Sequence, residues 1–122
     1  MKPNQINTIL ILYDIRSAHN VGAIFRTADA AGITMLYLVG ITPTPFDRFG
    51  KPRKDIAKAA LGAEKTVGWE WKKSILPVIT KLKKEGFQIA AIEQSVDAID
   101  YKKYKLSTNV AIVLGNEVSG IP

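Results

Sequence analysis

Cysteine is absent from the 122 residues, and histidine occurs once, as His19. Without thiols there are no disulfides and no thiolate metal sites, and a single imidazole makes a histidine-based zinc site or a serine-histidine hydrolase difficult to assemble. Two large enzyme classes are thereby set aside, and no metal is expected. Neither a signal-peptide pattern nor an apolar run long enough to span a bilayer is present, so the expectation is a soluble, cytoplasmic protein without a membrane partner. The glycine fingerprint of nicotinamide-binding folds is missing too. Where it would stand, the first apolar run is followed by Asp14-Ile15-Arg16-Ser17-Ala18-His19-Asn20-Val21-Gly22. Negative charge is in short supply: 11 Asp and Glu face 17 Lys and Arg, for a formal charge of +6 and an isoelectric point near 9.6. That balance favours a polyanionic partner.

What is present is a series of short apolar runs separated by helical patterns. Thr8 to Tyr13, Thr34 to Val39, Phe87 to Ile92 and Val110 to Leu114 are apolar with little alternation, as in strands covered on both faces. A further short strand is expected between Lys65 and Trp71, with Trp69 and Trp71 on one side. Between the first two runs, Val21, Ile24, Phe25, Ala28 and Ala31 recur at helical spacing, with Asn20 as the expected cap and Gly32 as the stop. Gly22, Arg26 and Asp29 make a different stripe of that helix, from which Arg26 and Asn20 are expected to address a common ligand. Arg26 paired with Asp29 at i, i+3 is the structural alternative. Ser74 to Glu85 is the clearest helix, with Ser74 as cap, Ile75, Val78, Ile79 and Leu82 on one face, and Lys81, Lys83 and Lys84 at its C-terminal dipole. Strand, helix, strand in this order spells an α/β fold: a mainly parallel sheet with helices on both faces, in one domain spanning residues 1–122.

Ligands of such sheets bind just beyond the C-terminal ends of the strands. Two loops are expected at that edge. One is Gly115-Asn116-Glu117-Val118-Ser119-Gly120-Ile121-Pro122, which follows the last strand, and the other is the polar exit Glu93-Gln94-Ser95. Elsewhere, Ile41 to Pro52 holds three prolines with Phe46, Asp47, Arg48 and Phe49, and reads as a mobile flap. Lys51, Arg53, Lys54 and Lys58 follow, leading into a short alanine-rich helix that ends before Gly62. Basic and aromatic side chains together suit single-stranded nucleic acid, although a solvated charged loop explains the charge equally well.

The run Asn20 to Asp29 (Asn-Val-Gly-Ala-Ile-Phe-Arg-Thr-Ala-Asp) and the run Ile112 to Pro122 resemble the first two signature motifs of the SpoU (TrmH) family of RNA methyltransferases. Ala60-Leu61-Gly62-Ala63-Glu64 looks like that family's middle segment. The resemblance implies a SPOUT-type fold with a deep trefoil knot, a homodimer, and transfer of a methyl group from S-adenosylmethionine to a ribose 2′-hydroxyl of tRNA or rRNA. It implies Arg26, Asn20 and Glu117 as the catalytic set, with Glu117 as proton acceptor or as a brace for its loop. Glu93, Gln94, Leu114, Gly115, Asn116, Gly120 and Ile121 are the expected cofactor residues, and Arg16, Arg48, Lys51, Arg53 and Lys54 the expected RNA-binding residues. The family's third motif, which opens the final helix and completes the pocket and the knot, would begin where the sequence reaches Pro122, so a domain incomplete at its C-terminus is expected. A knotted enzyme that methylates a base nitrogen is one alternative. A non-catalytic RNA-binding or dimerisation module is the other.

Overall fold

Leu10 and Leu12 belong to one apolar cluster and Ile11, between them, to another, and all three are fully buried. The computed structural model, which describes residues 8–92 and 109–115, shows the sheet responsible. In chain order the elements are β1 (Thr8–Tyr13), α1 (Ala18–Ala31), β2 (Met35–Val39), α2 (Lys54–Ala60), β3 (Gly68–Lys72), α3 (Ile75–Lys84), β4 (Gln88–Ile92) and β5 (Val110–Gly115), with a short 3-10 turn at Ala63–Lys65. Among the described residues the five strands form one parallel sheet in the order β3-β2-β1-β5-β4. Tyr101 to Lys105, expected to form a turn or partial helix, lies outside the described residues.

Successive strand residues face opposite sides, so each strand feeds two cores. Leu10, Leu12, Leu36, Leu38, Val110, Ile112 and Leu114 pack with Phe25 and Ala28 of α1 and Ile56 and Ala60 of α2. Ile11, Tyr37, Val39, Ala111 and Val113 pack with Ile75, Val78 and Leu82 of α3. Fully burying a side chain such as Phe25 contributes roughly 1.5–3 kcal/mol, which is why three of the apolar runs become the inner strands β2, β1 and β5. The fourth, expected to be buried as well, becomes β4 at the edge of the described sheet, with Ile89 and Ala90 half-buried and Ala91 exposed. The expected helices on both faces are present. Lys81, Lys83 and Lys84 stand in the last turn of α3 as expected, and Lys81 has a further partner: its ammonium lies 3.5 Å from the Tyr37 hydroxyl and 5.9 Å from the ring centre, and that hydroxyl holds the amine above its ordinary pKa.

The first helix differs from its expected form in three ways. It begins at Ala18, because Ser17 and not Asn20 is the cap: Ser17 Oγ accepts the Asn20 N–H at 3.1 Å. Ala31 is exposed, since ten residues after Val21 the regular helix has turned about 80° off the buried stripe. Gly22 is buried. A Cβ built there would lie 2.6 Å from the Ile56 carbonyl oxygen and 2.7 Å from the Ala59 Cβ, so the glycine is what lets α2 lie directly against α1. In α3, Ser74 holds the cap position without making a side-chain capping bond.

Candidate active site

The order β3-β2-β1-β5-β4 seats the first strand against the last, where the chain order jumps, and the crevice beyond the C-terminal ends of the strands is where parallel sheets bind ligands. Tyr13, the last residue of β1, pairs with Gly115, the last of β5. Ile92, the last of β4, pairs with Leu114. The exit of β4 therefore opens on the same edge as Gly115, as expected. Leu114 and Gly115 are buried at this edge, Leu114 with its side chain in the core shared with α1 and α2. Glu93, Gln94, Asn116, Glu117, Gly120 and Ile121, together with the segment expected to form the knot, lie outside the described residues.

A hydrogen-bonded frame that the sequence did not reveal holds the β1 side of the crevice. Asp14 adopts a left-handed backbone conformation (φ 52°), donates its N–H to the Val39 carbonyl at 3.1 Å, and accepts the Ile41 N–H on Oδ1 at 3.0 Å. Thr42 is buried, 2% exposed, and its hydroxyl oxygen accepts the Ile15 N–H at 3.1 Å. The same hydroxyl has two acceptors for its proton, Leu12 O at 3.0 Å and Val39 O at 2.8 Å. The loop after β1 is thus clamped to the loop after β2. The clamp continues to the sheet edge, where Gly40 donates to the Lys72 carbonyl at 2.9 Å and Trp71 Nε1 to the Gly40 carbonyl at 3.0 Å. The only local signal was the acid at the end of an apolar strand. Thr42 gave none, since two of its three partners, Ile15 and Leu12, are 27 and 30 residues away.

Asn20 and Arg26 are both exposed on α1, but they do not share a face. Six residues of regular helix separate them by about 9 Å along the axis and about 120° around it. Arg26 falls one turn beyond Gly22, on the flank of α1 towards α2. It forms no ion pair with Asp29, whose Oδ1 instead accepts from Thr66 Oγ1 at 3.1 Å. The structure therefore dismisses the local pairing as an account of Arg26, and it leaves the guanidinium in solvent.

The segment expected to be a mobile flap is a closed, hydrogen-bonded loop. Phe46 and Pro52 form an isolated antiparallel bridge, and Arg53 donates to the Pro45 carbonyl at 2.8 Å. Phe46 rests near Trp69, ring centres 6.3 Å apart. Of the basic residues expected to meet RNA, Arg16, Arg48, Lys51 and Lys54 are exposed, whereas Arg53 is bound to Asp55 at 3.0 Å. That bond raises the arginine pKa and lowers the aspartate's. Arg16 follows Ile15, which Thr42 anchors, so it belongs to the crevice edge. An open surface cavity of about 670 Å³ on α3, bordered by Leu76, Pro77, Thr80, Lys81, Lys84 and Glu85, contains none of the expected site residues.

A sheet whose described strands are all parallel, covered by helices on both faces and with its first strand beside its last, defines an α/β protein. The family follows from the comparison: the SpoU rRNA Methylase family model matches residues 7–122, and the chain belongs to that family. A TrmH family protein of Staphylococcus aureus (strain MSSA476) is 33% identical over 116 residues, which are 95% of this chain and 44% of that protein. The chain therefore spans less than half the length of that relative. Its fold is that of SPOUT methyltransferases. The rRNA methyltransferase from Sinorhizobium meliloti superposes with a TM-score of 0.75 at 30% identity, covering all of this chain and 44% of the other, and the AdoMet-bound form of an rRNA methyltransferase from that organism with 0.74 at 28%, over the same shares. The A. aeolicus TrmH/SpoU tRNA modifying enzyme gives 0.71 at 25%, over 97% of this chain and 56% of that one.

Proposed function

We propose that the protein to which this sequence belongs is a cytoplasmic, homodimeric RNA methyltransferase that uses S-adenosylmethionine to methylate a ribose 2′-hydroxyl of tRNA or rRNA. The observation that supports this reading is the pairing of Tyr13 with Gly115, which sets the exit of β1, leading to Asn20 at the start of α1, beside the last described residue of the second motif. β5 ends there in a glycine, which suits a ligand held through main-chain groups. Leu114 and Gly115 would hold the cofactor there, with Glu93, Gln94, Asn116, Gly120 and Ile121 as the proposed remainder.

Bound S-adenosylmethionine would supply an electrophilic methyl group on a sulfonium. The chain's task is then to place the ribose oxygen in line with it and to stabilise the charge that develops on that oxygen. Arg26 is the proposed group for this. Its guanidinium acts as a hydrogen-bond donor and fixed positive charge and not as a base. Asn20 is proposed to orient the substrate, and Glu117 to brace its loop or accept the proton. No metal is needed, because the leaving group is already cationic. Arg16, Arg48, Lys51 and Lys54 are proposed to hold the RNA backbone, with Arg53 contributing less while Asp55 engages it.

The test is mass spectrometry of nucleosides digested from RNA after incubation with isotope-labelled S-adenosylmethionine, using this chain and a C-terminally extended protein. A labelled 2′-O-methylnucleoside supports the reading, and a labelled base replaces it with the base-methylating alternative. Silence from both proteins on RNA known to lack the modification favours the non-catalytic module.

A further inference from the structure

We propose that Phe49, backed by Arg48, is a stacking platform for one unpaired base of a single-stranded RNA segment. This deepens the RNA-methyltransferase reading and rests on it. Phe49 is 74% exposed, more than any other large apolar side chain among the described residues. An exposed phenylalanine on a loose loop would mean little, but this loop is tied. Asp47 Oδ1 accepts from the Phe49 N–H at 2.8 Å and from the Lys51 N–H at 3.0 Å. The Asp47 N–H donates to the Lys51 carbonyl at 2.8 Å, and Gly50 donates to the Asp47 carbonyl at 3.0 Å. One aspartate thus gathers four hydrogen bonds and presents residues 48–50 at the apex of a frame closed by the Phe46 and Pro52 bridge.

The two phenylalanines of the loop have separate parts. Phe46 packs towards Trp69 and anchors the base of the frame, while Phe49 points away from any core. The Arg48 guanidinium lies 5.0 Å from the Phe49 ring centre. A cation on one face holds the ring in place and leaves the opposite face for a flat, electron-rich partner. Lys51 and Lys54, two and five residues further along the chain, are exposed, form no ion pair among the described residues, and can hold the phosphates next to a stacked base. Bases in a duplex are already stacked on their neighbours, so a single ring of this kind selects unpaired RNA. A protein partner is the competing occupant, but the exposed lysines that follow Phe49 favour a polyanion.

The experiment is fluorescence anisotropy of a short fluorescein-labelled RNA strand of mixed sequence, alone and annealed to its complement, against the full chain at fixed salt. A second strand carries 2-aminopurine to report stacking. The strand should bind more tightly than the duplex. Phe49→Ala should weaken strand binding roughly 5- to 150-fold, the usual range for losing one stacked base, and leave duplex binding unchanged. Phe49→Tyr should retain binding, and the 2-aminopurine emission quenched by the unaltered chain should stay unquenched with Phe49→Ala. Lys51→Ala should instead lower the salt dependence by about one counterion. A circular dichroism melt of Phe49→Ala should match that of the unaltered chain. If Phe49→Ala binds the strand as tightly as the unaltered chain does, the platform is wrong while the RNA reading stands. If the unaltered chain binds neither RNA, both fall. If Phe49→Ala alters self-association in sedimentation and not RNA binding, the ring is a contact between copies.

Discussion

The carboxylate of Asp14 occupies the space that a side chain on Gly40 would need. A Cβ built on Gly40 would lie 2.0 Å from Asp14 Oδ1, the oxygen that accepts the Ile41 N–H. The exits of β1 and β2 are thereby interlocked, and Gly40 itself has φ +70°, where other residues are strained. Gly40→Ala should destabilise the fold by about 2–5 kcal/mol, from backbone strain and overpacking together. In an Asp14→Ala background the same substitution should cost only about 1–2 kcal/mol, the backbone part alone. Urea denaturation of the four proteins checks this, and equal costs in both backgrounds would show that the carboxylate is not the obstacle.

Gly22 makes a parallel case between two helices. Alanine favours a helix interior by about 1 kcal/mol over glycine, but here its Cβ meets a backbone carbonyl that cannot move aside. Overpacking should win, and Gly22→Ala should lose about 1–3 kcal/mol, read as a lower urea midpoint. A gain in stability would mean that α1 and α2 are further apart than the structure shows.

Thr42→Val keeps the shape of the side chain and removes its oxygen. The Ile15 N–H then has no acceptor in a largely closed site, at a cost of about 1–3 kcal/mol. Amide hydrogen exchange should show faster exchange at Ile15, with the centre of β5 unchanged.

Arg26 is exposed and unpaired with Asp29, so Arg26→Ala should change stability by less than about 0.5 kcal/mol. In a C-terminally extended protein it should abolish methyl transfer and spare cofactor binding, measured by calorimetry with S-adenosylmethionine. Loss of cofactor affinity with transfer retained at saturation would reverse the assignment.

Arg53 holds the Asp55 carboxyl below the usual carboxylate range. A lowered folded-state pKa contributes stability above the unfolded-state value, and that contribution disappears as pH falls through the folded-state value. Both side chains are substantially exposed, 35% and 51%, so the pair should add no more than about 0.5 kcal/mol. The difference in urea midpoint between the unaltered chain and Asp55→Asn should be small at neutral pH and vanish as the pH falls through the lowered folded-state pKa of Asp55.

Local chemistry made much of this fold legible. β1 begins and ends where its apolar run does, at Thr8 and Tyr13, and α3 keeps the expected face of Ile75, Val78 and Leu82. The same holds for the family, because two motifs at opposite ends of a sequence need no coordinates to be recognised. Asn20 marks the limit of such reading: it looked like a cap, but Ser17 is three residues closer to the strand and takes that place.

What only the tertiary structure decided is which distant pieces meet. Strand periodicity says which residues face a core, and it is the same whether β5 pairs with β1 or lies elsewhere; long-range packing set the order β3-β2-β1-β5-β4 and so made the crevice. Gly22 reads as a helix residue of low propensity until α2 is laid across it, and Asp14 as a turn residue until Gly40 comes beneath its carboxylate. Phe46 and Phe49 are equivalent in composition, and contact with Trp69 separates the anchor from the exposed ring. The sequence by itself determined the elements, the charge and the family, since these depend on neighbours along the chain. The placement of functional groups depends on neighbours in space, and packing between residues more than 20 apart in the chain settled it.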